Sequence, residues 1–158
     1  MTKYPRIWIA AHGGPEVVAQ AEDTPPAILA VLAGDTNFEV RWQVARNPST
    51  PAEVLRKLAQ DKHSSVRWGA ARNSNIPVEV LCKLAEYDDI DVRLGVAQNL
   101  STPVEVLRKL ANDSNAVVRM GVAWNSNTPL VVLRTLEEDG DVHVRRQATT
   151  NLQKRGLA

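Results

Sequence analysis

The chain has 158 residues, 44% hydrophobic and 23% charged, close to the composition of an ordinary soluble domain and sufficient for a core. Its 19 basic residues nearly balance 18 acidic ones, and a net charge of +1 argues against a dedicated electrostatic binder of DNA or of anionic membrane. The single cysteine, Cys82, excludes an internal disulfide and a cysteine-rich metal site, and no apolar run is long enough to span a bilayer or serve as a signal peptide, so a cytoplasmic protein without metal or cofactor is expected.

In chain order, residues 1–23 come first and are expected to cap the rest of the chain. Ile7, Trp8, Ile9, Val17 and Val18 supply apolar surface for that purpose. The first dozen residues read as irregular and Pro15 to Glu22 as a short helix. His12-Gly13-Gly14-Pro15 reads as the turn before it; no GxSxG nucleophile elbow exists to make it part of a hydrolase site.

From Thr24 a unit of 26 residues runs five times without insertion, to residue 153. A fixed period in this range marks a repeat array. Numbered from its Thr, each copy opens on Thr-Pro, which reads as an N-cap and first helical residue. In Thr50-Pro51-Ala52-Glu53 and Thr102-Pro103-Val104-Glu105 the glutamate completes a capping-box pattern, and Ile76 breaks it once. Positions five, six and nine are apolar in every copy, as in Val54, Leu55 and Leu58, and form one stripe on a first helix. Its opposite face carries Glu53 and Lys57, Glu79 and Lys83, Glu105 and Lys109, spaced as solvated pairs. Cys82 lies on this outer face, and nothing nearby marks it as reactive.

A second, shorter helix is expected from about position fifteen. Val40, Val66, Val92, Val118 and Val144 point inward together with the residues four later. Small residues flank that stripe, among them Gly69, Gly95 and Gly121, and allow close packing of neighbouring copies. Asp88, Asp89 and Asp91 lack calcium-loop spacing and read as a solvated connection.

Three polar positions recur: Arg41, Arg67, Arg93, Arg119 and Arg145; Asn47, Asn73, Asn99, Asn125 and Asn151; and Asp35, Asp61, Asp113 and Asp139, with Tyr87 in the middle copy. The Arg row would suit phosphate. Recurrence in every copy favours instead a ladder between repeats, with Asn closing each second helix. In the last copy Arg145, Arg146, Gln147, Thr149 and Thr150 make a polar capping helix, and residues 154–158 are expected to be a frayed tail.

TPAEVLRKLAQD with SVRWGAARN, and TPVEVLRKLAND with VVRMGVAWN, resemble the leucine-rich repeat variant family, in all five copies. The resemblance implies an all-α, right-handed superhelical solenoid of two-helix repeats, the second helix α or 3₁₀, from a bacterial source and with an interaction role. Some members carry an iron–sulfur cluster on a cysteine-rich N-terminal segment; residues 1–23 contain no cysteine, so the cluster does not carry over.

The remaining candidate site is the outward row of the second helices, at positions sixteen, nineteen and twenty-three. Its candidate residues are Trp42, Arg46, Trp68 and Arg72, then Leu94 and Gln98, then Met120, Trp124 and Arg146. Trp and Arg are the usual anchors of protein interfaces. Two readings stay open: a binding surface for a protein or peptide, or Trp rings packed on the neighbouring helix with Arg stems laid over them. The first makes the chain a non-catalytic adaptor, monomeric or weakly self-associating. Nucleic-acid binding through Arg46, Arg72 and Arg146 is the weaker alternative, since Glu39 and Asp91 offset most of that charge, and a purely structural or self-assembling array is the third.

Overall fold

A computed structural model describes residues 4–157, and the side chains of Tyr4, Pro5 and Trp8 lie outside the described residues, Trp8's expected part in the cap with them. All regular structure there is α-helical, and the packing divides the chain into two compact units, Met1–Val80 and Leu81–Ala158. The first holds α1 (Tyr4–Ala11), α2 (Pro15–Gln20), α3 (Pro26–Leu32), α4 (Phe38–Arg46), α5 (Ala52–Leu58) and α6 (Ser64–Arg72). The second begins within α7 (Val78–Leu84). It continues with α8 (Ile90–Gln98), α9 (Val104–Leu110), α10 (Ala116–Trp124), α11 (Leu130–Leu136) and α12 (Val142–Lys154).

Each repeat contributes two helices, as its two apolar stripes require. Leu55 and Leu58 of α5 and Val66 and Ala70 of α6 are fully or almost fully buried, and Leu107, Leu110, Val118 and Val122 repeat the pattern in the second unit. The second helices are α, and at nine residues, or thirteen in α12, they exceed the seven of the first helices, reversing the expected order of length. They also form the packed layer: α2 lies on α4 and α4 on α6, while α10 lies between α8 and α12.

The Thr at position one does not cap the first helix. Its hydroxyl turns back and donates to a carbonyl of the preceding second helix: Thr50 to Val44 O and Thr128 to Val122 O at 2.6 Å, Thr102 to Val96 O at 2.6 Å. Pro51, extended, takes the N-cap place, and Glu53 pairs with Arg56 instead of closing a capping box. The hydroxyl satisfies a carbonyl that the helix end leaves open, and the buried site makes that bond worth more than one in water. Helix capping by side chains occurs instead at position fourteen, where Asn37, Asp89, Asn115 and Asp141 accept from backbone N–H groups two residues on. Asp89 is thus the cap of α8, inside what read as a solvated loop.

Both ends are more ordered than the sequence suggested. The first dozen residues include a helix, α1, which ends in a turn at Gly13 and Gly14, each with φ 95°. Ile9 and Val18 are buried, whereas Ile7 and Val17 face solvent. Helix α2 lies in register with a second helix: Val18-Ala19 precede Val44-Ala45 by one period, and Thr24 donates to Val18 O as Thr50 does to Val44 O. The cap is therefore a truncated copy of the repeat. At the other end α12 runs on to Lys154, Leu152 is fully buried, and Arg155 donates to the carbonyls of Thr128 and Ser126. Arg155 and the Leu157 carbonyl, which accepts from Arg134, thus tie to the array a stretch expected to fray, although Lys154, Gly156 and Leu157 remain exposed.

Candidate functional site

The recurring polar side chains are occupied with the fold. Arg41 makes a two-pronged bond to Asp61, 2.6 Å from Nε and 2.9 Å from Nη2, while Nη1 reaches the carbonyls of Asp35 and Thr36. Arg93 with Asp113 and Arg119 with Asp139 repeat this geometry. In each case the arginine clasps its own interhelical turn and the aspartate of the next repeat. Burial pushes the Asp61 and Asp113 carboxyls up, but the arginine bonds and a backbone N–H outweigh it and leave both below the ordinary aspartate range. Asp139 is held low chiefly by Arg119. The Asn row bridges copies too: Asn125 Nδ2 donates to Ala97 O at 2.8 Å and to Asn99 O at 2.9 Å, and Asn47 does the same to Ala19 and Ala21. These arginines are ladder rungs, with no guanidinium edge presented as a phosphate track in the three paired rungs.

The outward row divides by position. At position nineteen Trp42 and Leu94 are half-buried because each leans on the next copy, whereas Arg146 in the last copy is exposed. A methyl group added at Gly69 would lie 3.2 Å from Trp42 Cδ1, and one at Gly121 would lie 2.7 Å from Leu94 Cδ1. The small residue at position twenty is therefore a seat for the large one before it. Trp42 Nε1 is buried in that seat with no hydrogen-bond partner. Trp68 and Met120 are likewise half-buried. At position twenty-three Arg46 and Arg72 are exposed, and their guanidinium carbons stand 4.7 and 5.2 Å from the Trp42 and Trp68 ring centres. Gln98 is half-buried, while Trp124 is 52% exposed.

In the first unit the row borders an open cleft of about 510 Å³ on the layer of second helices. Trp42, Trp68 and Phe38 supply its aromatic wall, and Phe38 is itself stacked on His63 at 3.8 Å. Glu39 and Ser65, both at position sixteen, lie on the lining, as does Gln43. The remaining wall comes from Glu16 and Gln20 of α2. Sequence reasoning placed these two in a cap and missed them as site residues. The signal was the one-period offset that puts Glu16 at position nineteen and Gln20 at position twenty-three of the truncated copy. Arg46 and Arg72 do not line the cleft. Leu94, Gln98, Met120, Trp124 and Arg146 belong to the second unit and lie on α8, α10 and α12.

The leucine rich repeat variant family matches at residues 38–63 and 90–115. Both segments begin at a second helix and run through the next first helix, the frame closed by the Thr50 and Thr102 hydroxyl bonds. A solved leucine-rich repeat variant with a novel repetitive structural motif is 26% identical to this chain, with a TM-score of 0.67 over 92% of it. Two stretches of the chain carry leucine-rich repeat variant repeats, and the chain has the fold of the solved variant. It spans 59% of the length of that solved variant. An engineered protein of known crystal structure shares the fold at 21% identity and a TM-score of 0.55, over 99% of this chain and 98% of its own. Comparison with curated proteins gives no match. Among the described residues no three His, Cys, Asp or Glu side chains gather as a metal site would require, and no helix is long and apolar enough to cross a membrane.

Proposed function

We propose that this repeat variant is a non-catalytic scaffold in the cytoplasm that binds a protein or peptide along its second helices, with the cleft of the first unit as the anchor point. The observation that carries this reading is the cleft itself. Two Trp and one Phe wall a concavity of the size that takes a large side chain, and the rings keep part of their surface open to it. The repeat needs a large residue at position nineteen only to fill the seat at position twenty, and Leu94 fills it as well as Trp42 does. The extra indole surface at Trp42 and Trp68 is then available to a partner.

That equivalence supplies the test. Trp68→Leu keeps an apolar side chain of the kind that position nineteen already carries, so thermal stability should fall by about 1 kcal/mol at most. Recovery of a partner from the source cell on the immobilised wild-type protein should drop by at least about tenfold with the variant, the usual weight of an interface anchor. Equal recovery on both proteins overturns the reading.

A further inference from the structure

The lining of the cleft carries only acidic charge, while Arg46 and Arg72 stand outside the lining over the two indole rings. Glu16 and Glu39 lie on its lining, no Lys or Arg does, and neither glutamate has an ion-pair partner among the described residues. Glu16 accepts at most a long 3.5 Å contact from Asn37 Nδ2, and both glutamates are exposed. The rings of Phe38, Trp42 and Trp68 share that lining. Aromatic faces attract cations through the ring quadrupole, and Trp does so best. The protein already uses its rings in this way, because Arg46 and Arg72 are laid over Trp42 and Trp68. Gln20, Gln43 and Ser65 add neutral donors and acceptors of the kind that pair with an extended peptide backbone.

Resting on the scaffold reading, we propose that the occupant of this cleft is a basic peptide segment, whose Lys or Arg side chain enters between the two tryptophans with its charge toward Glu39 and Glu16. An apolar side chain would leave two carboxylates facing it without a counter-charge, and an acidic one would be repelled by them. Charge complementarity at such a rim sets partner choice and encounter rate more than total affinity.

Three synthetic Gly/Ser peptides test this, identical except for Arg-Lys, Asp-Glu or Leu-Phe at the same two places. Each is titrated into the full chain at low ionic strength, with tryptophan fluorescence and calorimetry as readouts. The Arg-Lys peptide should bind at least about tenfold more tightly than the other two, and Glu16→Gln with Glu39→Gln should erase about tenfold of its affinity, the loss expected of two exposed charge pairs. Trp68→Leu should weaken it as well. Preference for the Leu-Phe or Asp-Glu peptide, lost with Trp68→Leu, overturns the basic-segment inference and leaves the scaffold reading standing. Arg-Lys binding unchanged in the double Gln variant also overturns it, as attraction to the surface at large. No binding of the Arg-Lys peptide at millimolar concentration overturns it too, and the recovery experiment with Trp68→Leu then decides the scaffold reading separately.

Discussion

Replacing Arg93 with Met should destabilise the array far more than removal of a surface charge would. Arg93 makes four hydrogen bonds: two to the Asp113 carboxylate, at 2.6 and 3.1 Å, and two to the carbonyls of Tyr87 and Asp88, at 2.9 and 2.8 Å. The side chains of the pair are only 14% and 8% exposed, so water cannot fully take the place of the guanidinium. Met fills much of the space but leaves a nearly buried carboxylate that keeps the Asn115 N–H as a backbone donor and loses both guanidinium bonds. Breaking such a pair by removing one partner costs about 3 kcal/mol or more. For a chain of this length that lowers the melting temperature by about 6–12 °C. The assay is thermal unfolding followed by far-ultraviolet circular dichroism. The companion variant is Arg93→Met with Asp113→Leu, which removes both charges and should recover most of the loss. A single variant that melts with the wild type, or a double variant that is no better than the single, refutes the ladder as described.

Three further outcomes are expected. Asp61, Asp113 and Asp139 have carboxyls held below their unfolded values, so each contributes stability above about pH 4 that is lost as pH falls through the folded values; chemical denaturation midpoints should drop steeply below about pH 4, and a midpoint flat down to pH 2 would contradict the shifts. Removing residues 1–23 should lower the melting temperature and promote self-association in size-exclusion chromatography, because it uncovers α4 and deprives Asn47 Nδ2 of the Ala19 and Ala21 carbonyls; an unchanged, monomeric protein would deny the cap its role. Gly69→Ala should destabilise by about 1 kcal/mol despite the better helix propensity of Ala, since the new methyl meets Ala45 Cβ at 3.1 Å, a group that no rotamer change can move; a rise in melting temperature would show the seat to be loose.

The sequence made the helical layers legible because apolar periodicity reports burial directly. Leu55, Leu58, Val66 and Ala70 stand where a 3.6-residue period places them. What it concealed was the direction of short polar side chains. Thr-Pro before an apolar run has the composition of an N-cap, yet Thr50 and Thr102 bond backward, because the carbonyls of Val44 and Val96 are buried and lie within reach six residues earlier. The same limit hid the caps at Asn37 and Asp89, whose residue type alternates with neighbouring polar positions. The N-terminal cap was misread for a related reason. A truncated copy without its Thr, Arg or Asn has lost the marks by which a repeat is recognised, and only Val18, Ala19 and Thr24 keep the register.

The candidate site was half-legible, and the division has a physical basis. Positions that never change across the copies are those whose polar groups are spent between repeats: Arg93 on Asp113, Asn125 on Ala97 and Asn99. Side chains not spent on the ladder are found where the copies differ, and the outward row meets that condition. It was not free of the fold, however, since Trp42 and Leu94 each fill the seat above a glycine of the next copy. A residue at position nineteen has two surfaces, one fixed by packing and one open, and its size beyond Leu is what packing does not require. The same reasoning extends to α2. As a truncated second helix it needs Val18 and Ala19 for register, while Glu16 and Gln20 answer no packing demand and stand on the lining of the aromatic cleft. The cap therefore closes the core with one face and supplies a wall of the aromatic cleft with the other, so that loss of residues 1–23 would remove a carboxylate from the cleft along with the cover from α4.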